Sequence, residues 1–530
     1  MTEGGFGVGD FVAFGFLCLA SCAGGLWYSA IGSRTKAVVD IRDYLLGGRA
    51  MSTFPVAMSL IASYVSGVTI LGTPAEIYNY GSQYWLVVVG VSLSCVVVAT
   101  VYLPVFCTLR LSSSYEYLEL RFNRHVRAVA SILFLLDEVL FLPMVIYVPA
   151  LAFNQLTGFN VYAVGGVMVA ICGLYTVLGG LRAVVWTDSV QTGIMFIGVM
   201  LVAAAGTIAV GGVRVILDVT GESGRLSISN WDLSPYVRQT GWGSVVGGFL
   251  YWTCFNSVNQ TMVQRYIALP SKRKAIIALA IFCMGAILAI SLCVWCGLAA
   301  WAAWVRGGCA PAGRPLVDDR LLPAFVTYVS RVQHLPGLAG VFLAGVFGAG
   351  VATALSAIAA SSTCGMFTLG MACWWVGPRG AIAGAVAGAV VAATVSLGTQ
   401  AAAAHGLREP PMDYAMQCPN ATFQPPVYLD PEEVFPLFRI SYHWIAPLGL
   451  VTTLCVGSVV GWLCDRRQGV PLDAELFTPA VWRLLPAEAR DNAGVTRRNL
   501  ASKAADTPPS APLIVGQPSD KIEMNGESSR

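Results

Sequence analysis

Charge is what this sequence has least of. Only 12% of its 530 residues are Asp, Glu, Lys or Arg, against roughly 25% in an ordinary soluble domain. Whole stretches carry none: Phe11–Ser33, Tyr84–Leu109, Val139–Leu181, Val190–Val213, Gly241–Gln264, Ala275–Val305, Leu335–Pro378 and Gly380–Gly406. A helix crosses the hydrocarbon core with about 20 apolar residues. Several runs are long enough for a crossing, and Val139–Leu181 and Leu335–Pro378 can hold more than one element. A soluble enzyme is excluded, and the expected class is an all-α polytopic membrane protein. Its membrane domain spans 1–465, with about 11 helices at the usual span length.

Other scarcities narrow the function. The 4 histidines are scattered and form no zinc set. No Gly-rich loop ending in Lys-Ser/Thr is present, which argues against ATP-driven transport. A net charge of +3, dispersed along the chain, does not suit nucleic acid. An ion channel would want a continuous polar lining, and none is visible. Cysteine is plentiful, at 15, but lies mostly inside apolar runs, where it behaves as a small hydrophobe. Cys309 and Cys418 are different, since they fall in two long loops where pairing stays open. The run from Phe11 is long and has no Lys or Arg before it, so it reads as a retained helix rather than a cleaved signal.

Basic residues in short loops set orientation. Arg34, Lys36, Arg42 and Arg49 follow the first hydrophobic segment. Arg110, Arg121, Arg124 and Arg127 follow the third, Arg182 the fifth, and Arg265, Lys272, Arg273 and Lys274 the seventh. These loops are expected in the cytoplasm, with the N-terminus outside. The long loops Gly211–Gln239, Arg306–His334 and Gly406–Arg439 then face outward. Asn420-Ala421-Thr422, in the last of them, is a glycosylation sequon on that side. Asn259-Gln260-Thr261 also matches the pattern but falls at the cytoplasmic end of a helix. From 466 to 530 the chain is polar, and its Pro/Ser/Ala-rich end reads as a largely disordered cytoplasmic tail.

One hydrophobic segment is heavily interrupted. "SLIASYVSGVTILGTPAEIYNYG", Ser59–Gly81, carries Ser59, Ser63, Ser66, Gly67, Thr69, Gly72, Thr73 and Pro74. Small residues can serve close helix packing. They can equally mark a helix broken at the membrane midplane, whose bare carbonyls and half-helix ends hold ions and polar substrate. From this window alone both readings stand.

The neighbouring motifs decide between them. "GTPAEIYNYG", "YTVLGGLRAVVWTDSVQTG" (Tyr175–Gly193), "NSVNQTMVQRYIA" (Asn256–Ala268), "YVPALAFNQLTGFN" and "ISYHWIAPLG" together closely resemble the sodium:solute symporter family. The likeness is nearest to the family's monocarboxylate, multivitamin and iodide branch, and extends from about Phe6 to Asp465. It implies an inverted-repeat symporter fold with a broken first core helix near Met51–Tyr78. Further spans are expected near 84–108, 128–152, 161–179, 189–210, 241–259 and 276–304.

The resemblance also implies where sodium sits. The backbone carbonyls of Ala62 and Val65 would hold it from the broken helix, and a hard cation wants such oxygen. The facing helix is "GVFGAGVATALSAIAASSTCGM", with Ala349 as carbonyl donor and Ala352 and Thr353 at the paired hydroxyl positions. Alanine at 352 removes one oxygen, and Ser356, one turn on, is the candidate replacement. Asp188 would border the sodium route, and would also suit a helix N-cap. Ser66, Thr69, Tyr251, Asn259 and Gln260 are the candidate substrate contacts. A carboxylate could rest on a half-helix N-terminus without any arginine.

Two features depart from the family pattern. Asp137 and Glu138 interrupt an apolar run, where charge at membrane depth is a functional suspect. Thr353 and the "GMFTLGM" element also lie too close together, as though about two helices of the usual set were absent. A single joined helix of about 40 residues would be about 60 Å long, against about 30 Å of hydrocarbon. A break is therefore expected near Ser361-Ser362-Thr363.

The expected function is sodium-coupled symport of a small organic anion, a monocarboxylate or a vitamin such as pantothenate or biotin, by alternating access at the plasma membrane. Sodium is the co-transported ion, the lipid bilayer the surroundings and a monomer the working unit. No catalytic set is present, so an enzyme is not expected. The alternatives are a non-transporting sensor or inactive truncated isoform, and an iodide-type anion symporter.

Overall fold

Apolar runs without charge leave the backbone one good option in lipid, which is to satisfy its own N–H and C=O groups in helices. The computed structural model describes residues 7–34, 41–109, 111–307, 320–347, 356–406, 412, 434–465, 473–496, 498 and 499. Among these residues the chain is helical throughout its membrane part, without strands.

In chain order the helices are α1 (Val8–Arg34), α2 (Thr53–Tyr64) and α3 (Gly67–Tyr80). A long span follows, α4 (Ser82–Leu109). Next come α5 (Ser114–Arg121), α6 (Arg124–Thr157), α7 (Val161–Val210), α8 (Gly248–Val258), α9 (Gln260–Ile267) and α10 (Lys272–Arg306). The later long helices are α11 (Leu321–Val332), α12 (Leu338–Phe347), α13 (Ser356–Ala372), α14 (Pro378–Ala404) and α15 (Ile445–Val460), and shorter helices such as Val213–Glu222 lie between these elements. Five described helices are long and apolar enough to cross a membrane, or six when α2 and α3 count as one bent span.

Helix starts are fixed by polar caps that satisfy the first free N–H groups. Asn123 accepts from the Val126 N–H, Asn160 from those of Tyr162 and Ala163, and Ser271 from that of Lys274. Close packing comes from small residues. α14 and α15 approach until a Cβ added at Gly384 would lie 2.5 Å from the Thr453 carbonyl oxygen. Such tight contact is how small residues hold membrane helices together.

The central packing unit is α10, which lies against both α2 and α3, while α7 packs on α2. Tyr64 at the end of α2 meets Phe282 of α10 edge-on at 5.3 Å. A second apolar cluster sits at one end of the bundle, where Phe367 of α13 stacks on Tyr117 of α5 at 5.5 Å.

The loop contacts fall into two groups. Arg49 donates to the Leu111 carbonyl, Arg182 to that of Gly47, and Gln264 to that of Leu45. Arg225 donates to Tyr78 and Ser441 to the Arg238 carbonyl, joining the long loops at the opposite end.

Several expectations need correction. The spans near 161–179 and 189–210 are not separated by a loop. They are two helices that meet directly at Gly180, with φ 58° and ψ −159°, and together make up α7. Only glycine adopts that backbone readily, so one residue does the work of a turn. Asp188 consequently lies inside α7 and not at a helix N-cap. The break expected near Ser361-Ser362-Thr363 is also absent, because α13 runs through it. Ser361 and Ser362 return their hydroxyl protons to the Ile358 carbonyl, so their polarity is absorbed within the helix. Within the polar stretch from 466, residues 473–496 are docked against the bundle. Leu476 and Phe477 are buried in the second cluster, Tyr117 donates to the Leu476 carbonyl, and Asp473 accepts from the Glu475, Gly494 and Thr496 N–H groups.

Candidate functional site

The interruption in Ser59–Gly81 is a true break. α2 ends at Val65, whose backbone is extended, and α3 begins after Ser66, also extended. The two helix axes differ by 51°. Ser66 and Thr69 form a reciprocal cap: the Thr69 N–H donates to Ser66 Oγ at 3.3 Å, and the Ser66 N–H to Thr69 Oγ1 at 3.4 Å. The last turn of a helix leaves carbonyls without an intrahelical partner. Ala62 and Val65, the expected sodium donors, stand at that turn and are buried. Opposite them, the first turn of α3 presents the positive end of a helix dipole. One break therefore supplies both a carbonyl-rich edge for a cation and an N–H edge for an anion.

The break is walled by aromatic side chains. Tyr64 lies 4.2 Å from Trp252 by ring centroids, and Trp252 meets Tyr251 edge-on at 5.0 Å. Ser66, Thr69 and Tyr251 of the expected substrate set are thus gathered around the break. Asn259 and Gln260 also make structural hydrogen bonds. Asn259 links α8 to α9, accepting from the Thr261 N–H at 2.9 Å and hydroxyl at 2.6 Å. Gln260 Oε1 takes the Ser114 N–H at 2.8 Å and its hydroxyl at 2.7 Å, anchoring the start of α5.

Asp188 has a partner that the sequence did not suggest. Arg265, counted above among loop charges, is buried on α9. Its Nη2 lies 3.1 Å from Asp188 Oδ2. Ser59 of α2 completes the unit: its hydroxyl donates to the same carboxylate oxygen at 2.6 Å and accepts from Arg265 Nε at 2.7 Å. Thr192 and Ser189, further along α7, donate to the Met58 and Pro55 carbonyls of α2. These contacts fasten α2 to α7 and α9 just beneath the break.

A second ionic unit lies at the other end of the broken span. Arg238 grips Glu76 of α3 with two bonds of 2.8 Å, and Gln239 adds a third at 2.6 Å. Gln239 also reaches Tyr442 and His443, tying the span to the segment before α15. A glutamate within an apolar segment was the available signal for this unit. Asp137 is buried and Glu138 half-buried on α6.

Ala349, Ala352, Thr353, Cys309, Cys418 and Asn420 lie outside the described residues. Ser356 is described only as the first residue of α13.

The comparisons with known proteins agree with this architecture. Residues 44–370 match the sodium:solute symporter family. A mouse sodium-coupled monocarboxylate transporter 1 is 40% identical over 342 residues, covering 64% of this chain and 55% of the relative. The human sodium/iodide cotransporter is 37% identical over 338 residues, covering 64% of this chain and 52% of the relative. This chain therefore spans about half the length of those relatives. A solved sodium-coupled sialic acid symporter, captured substrate-bound and outward-open, superposes with a TM-score of 0.66 at 19% identity. That likeness covers 86% of this chain and 98% of the symporter. It establishes an inverted-repeat symporter fold and lends no support to a missing helix pair. With the family match spanning more than half of its residues, this chain belongs to the sodium:solute symporter family.

Proposed function

We propose that this protein is a sodium-driven symporter of a small organic anion at the plasma membrane, working as a monomer with its C-terminus in the cytoplasm. The observation that carries the reading is the break at Val65–Ser66 inside an otherwise apolar span of a symporter-family chain.

Sodium, as co-transported cargo, would lie against the carbonyls of Ala62 and Val65. Ala349 and Thr353 would complete its shell, with Ser356 standing in for the hydroxyl that Ala352 lacks. The substrate carboxylate would face the first turn of α3, with Ser66, Thr69 and Tyr251 around it. Backbone N–H groups and a dipole suffice for an anion there. Asp188, neutralised by Arg265, would sit on the sodium route toward the cytoplasmic end. Alternating access then needs few moving parts. α2 and α3 can change their angle at Val65–Ser66, while Arg238 and Glu76 hold the outer end of the span.

A monocarboxylate is the favoured cargo, because transporters named for monocarboxylates are among the relatives at 37–40% identity. The test is uptake in cells expressing the 530-residue chain. Labelled lactate, nicotinate, pantothenate, biotin and iodide would be offered with and without sodium. Lactate or nicotinate uptake abolished by sodium removal supports the reading. Iodide uptake alone would reassign the cargo, and surface delivery without uptake of any of the five counts against transport.

A further inference from the structure

Among the described residues, Asp137 is a buried acid that neither the broken helix nor its ionic partners use. Asp137 projects from α6 and is only 7% exposed. Its Oδ1 is buried without a hydrogen-bond partner, and among the described residues no Lys, Arg or His pairs with it. It lines a small cavity where α5, α6, α8 and α13 converge. Tyr115, Phe134, Cys254, Asn259 and Thr363 form much of the remaining wall.

A buried carboxylate without a charged partner is unfavourable. Transferring a proton to it removes the charge but leaves a buried oxygen unbonded, which still costs. A cation removes both penalties, because it neutralises the acid and fills the lone pairs of carboxylate and hydroxyl oxygens. The single carboxylate matches a single positive charge. A divalent ion such as calcium would want six to eight oxygens and usually more than one acid. Glu138, the next residue on α6, is not among the residues that line the cavity. The cavity is small, which suits a compact monatomic cation.

We propose that Asp137, with the Thr363 hydroxyl across the cavity, forms a binding site for an alkali cation of sodium size. It is separate from the place at the α2–α3 break and holds its ion between α6 and α13. It rests on none of the residues named in the symport reading; Asn259, which also lines the cavity, has its side-chain oxygen taken up by Thr261.

The test counts bound ions. Radioactive sodium is titrated onto the purified full-length chain and the number held per chain is measured at saturation. Asp137→Asn keeps the side-chain shape and is expected to bind one sodium fewer. Thr363→Val is expected to weaken one class of sites roughly tenfold, as loss of a supporting group does at metal sites. Glu138→Gln is expected to match the wild type. An unchanged count in monodisperse Asp137→Asn overturns the proposal, as does equal loss in Glu138→Gln. Should Asp137→Asn fail to fold, the Thr363→Val titration decides, and an unaltered curve overturns it. A wild-type chain that binds no sodium at all contradicts both this site and the symport reading. A count unaffected by Asp137→Asn, with sodium-driven uptake intact, contradicts this site alone.

Discussion

Arg265 Nη2 lies 3.1 Å from Asp188 Oδ2, with the Ser59 hydroxyl bonded to both side chains. Three segments far apart in sequence meet in that contact, and it sits directly beneath the broken helix. Their side chains are only 9% and 14% exposed. Buried pairs of this kind add little net stability over apolar replacements, but breaking one strands a charge.

Arg265→Gln is therefore expected to destabilise the protein by about 3–5 kcal/mol, the usual cost of an orphaned buried charge. Asp188→Asn combined with Arg265→Gln should recover part of that loss. Thermal unfolding of the purified variants in detergent checks this. Equal stability of the single and double variants would show that the pair is not coupled.

Gly180→Ala should be poorly tolerated. Its φ of 58° with ψ −159° belongs to a region that is nearly glycine-only. An added Cβ would also lie 2.8 Å from the Tyr44 carbonyl oxygen. A loss of about 1–3 kcal/mol is expected from the backbone alone. The readout is surface expression together with melting temperature, and a variant indistinguishable from wild type would remove the kink from the account.

Ser66→Ala should weaken the break without abolishing the fold. The Thr69 N–H would lose its acceptor, at a cost of about 1 kcal/mol. Val65→Ile should leave sodium dependence intact, since the proposed ligand there is a carbonyl and not a side chain. Uptake measured against sodium concentration separates the two. A large shift in Val65→Ile with little change in Ser66→Ala would contradict the assignment.

Much of this was readable in advance, for physical reasons. Charge-free runs must become helices in lipid, so the spans near 84–108, 128–152 and 276–304 were legible, and the cluster of Ser, Gly and Pro marked the α2–α3 break. Gly180 was hidden because a one-residue kink looks like any short loop when both flanks are apolar. Arg265 was misplaced because a lone arginine near loop lysines resembles a surface charge. Only its spatial partner on α7 reveals the burial. The structural hydrogen bonds of Asn259 and Gln260 were not legible either, because sequence shows a side chain's polarity but not its partners. The break expected near Ser361-Ser362-Thr363 came from weighing helix length against bilayer thickness, and the Ser361 and Ser362 hydroxyls there are satisfied one turn back.

Arg238→Lys should loosen the outer end of the broken span. A guanidinium makes two parallel bonds to Glu76, whereas an ammonium offers a single point charge. Arg238 is 36% exposed and Glu76 15%, so screening by solvent limits the coupling to about 1 kcal/mol. A double-mutant cycle with Glu76→Gln measures it, and a coupling energy of zero would show that the contact does not restrain α3.

The central claim is that a sodium gradient does work on the substrate through this chain. The most direct measurement uses purified protein in sealed liposomes, with labelled lactate at equal concentration on both sides and sodium on one side only. The account predicts lactate accumulation on the sodium-poor side that reverses when the gradient is reversed. Lactate movement that ignores the direction of the sodium gradient would contradict it.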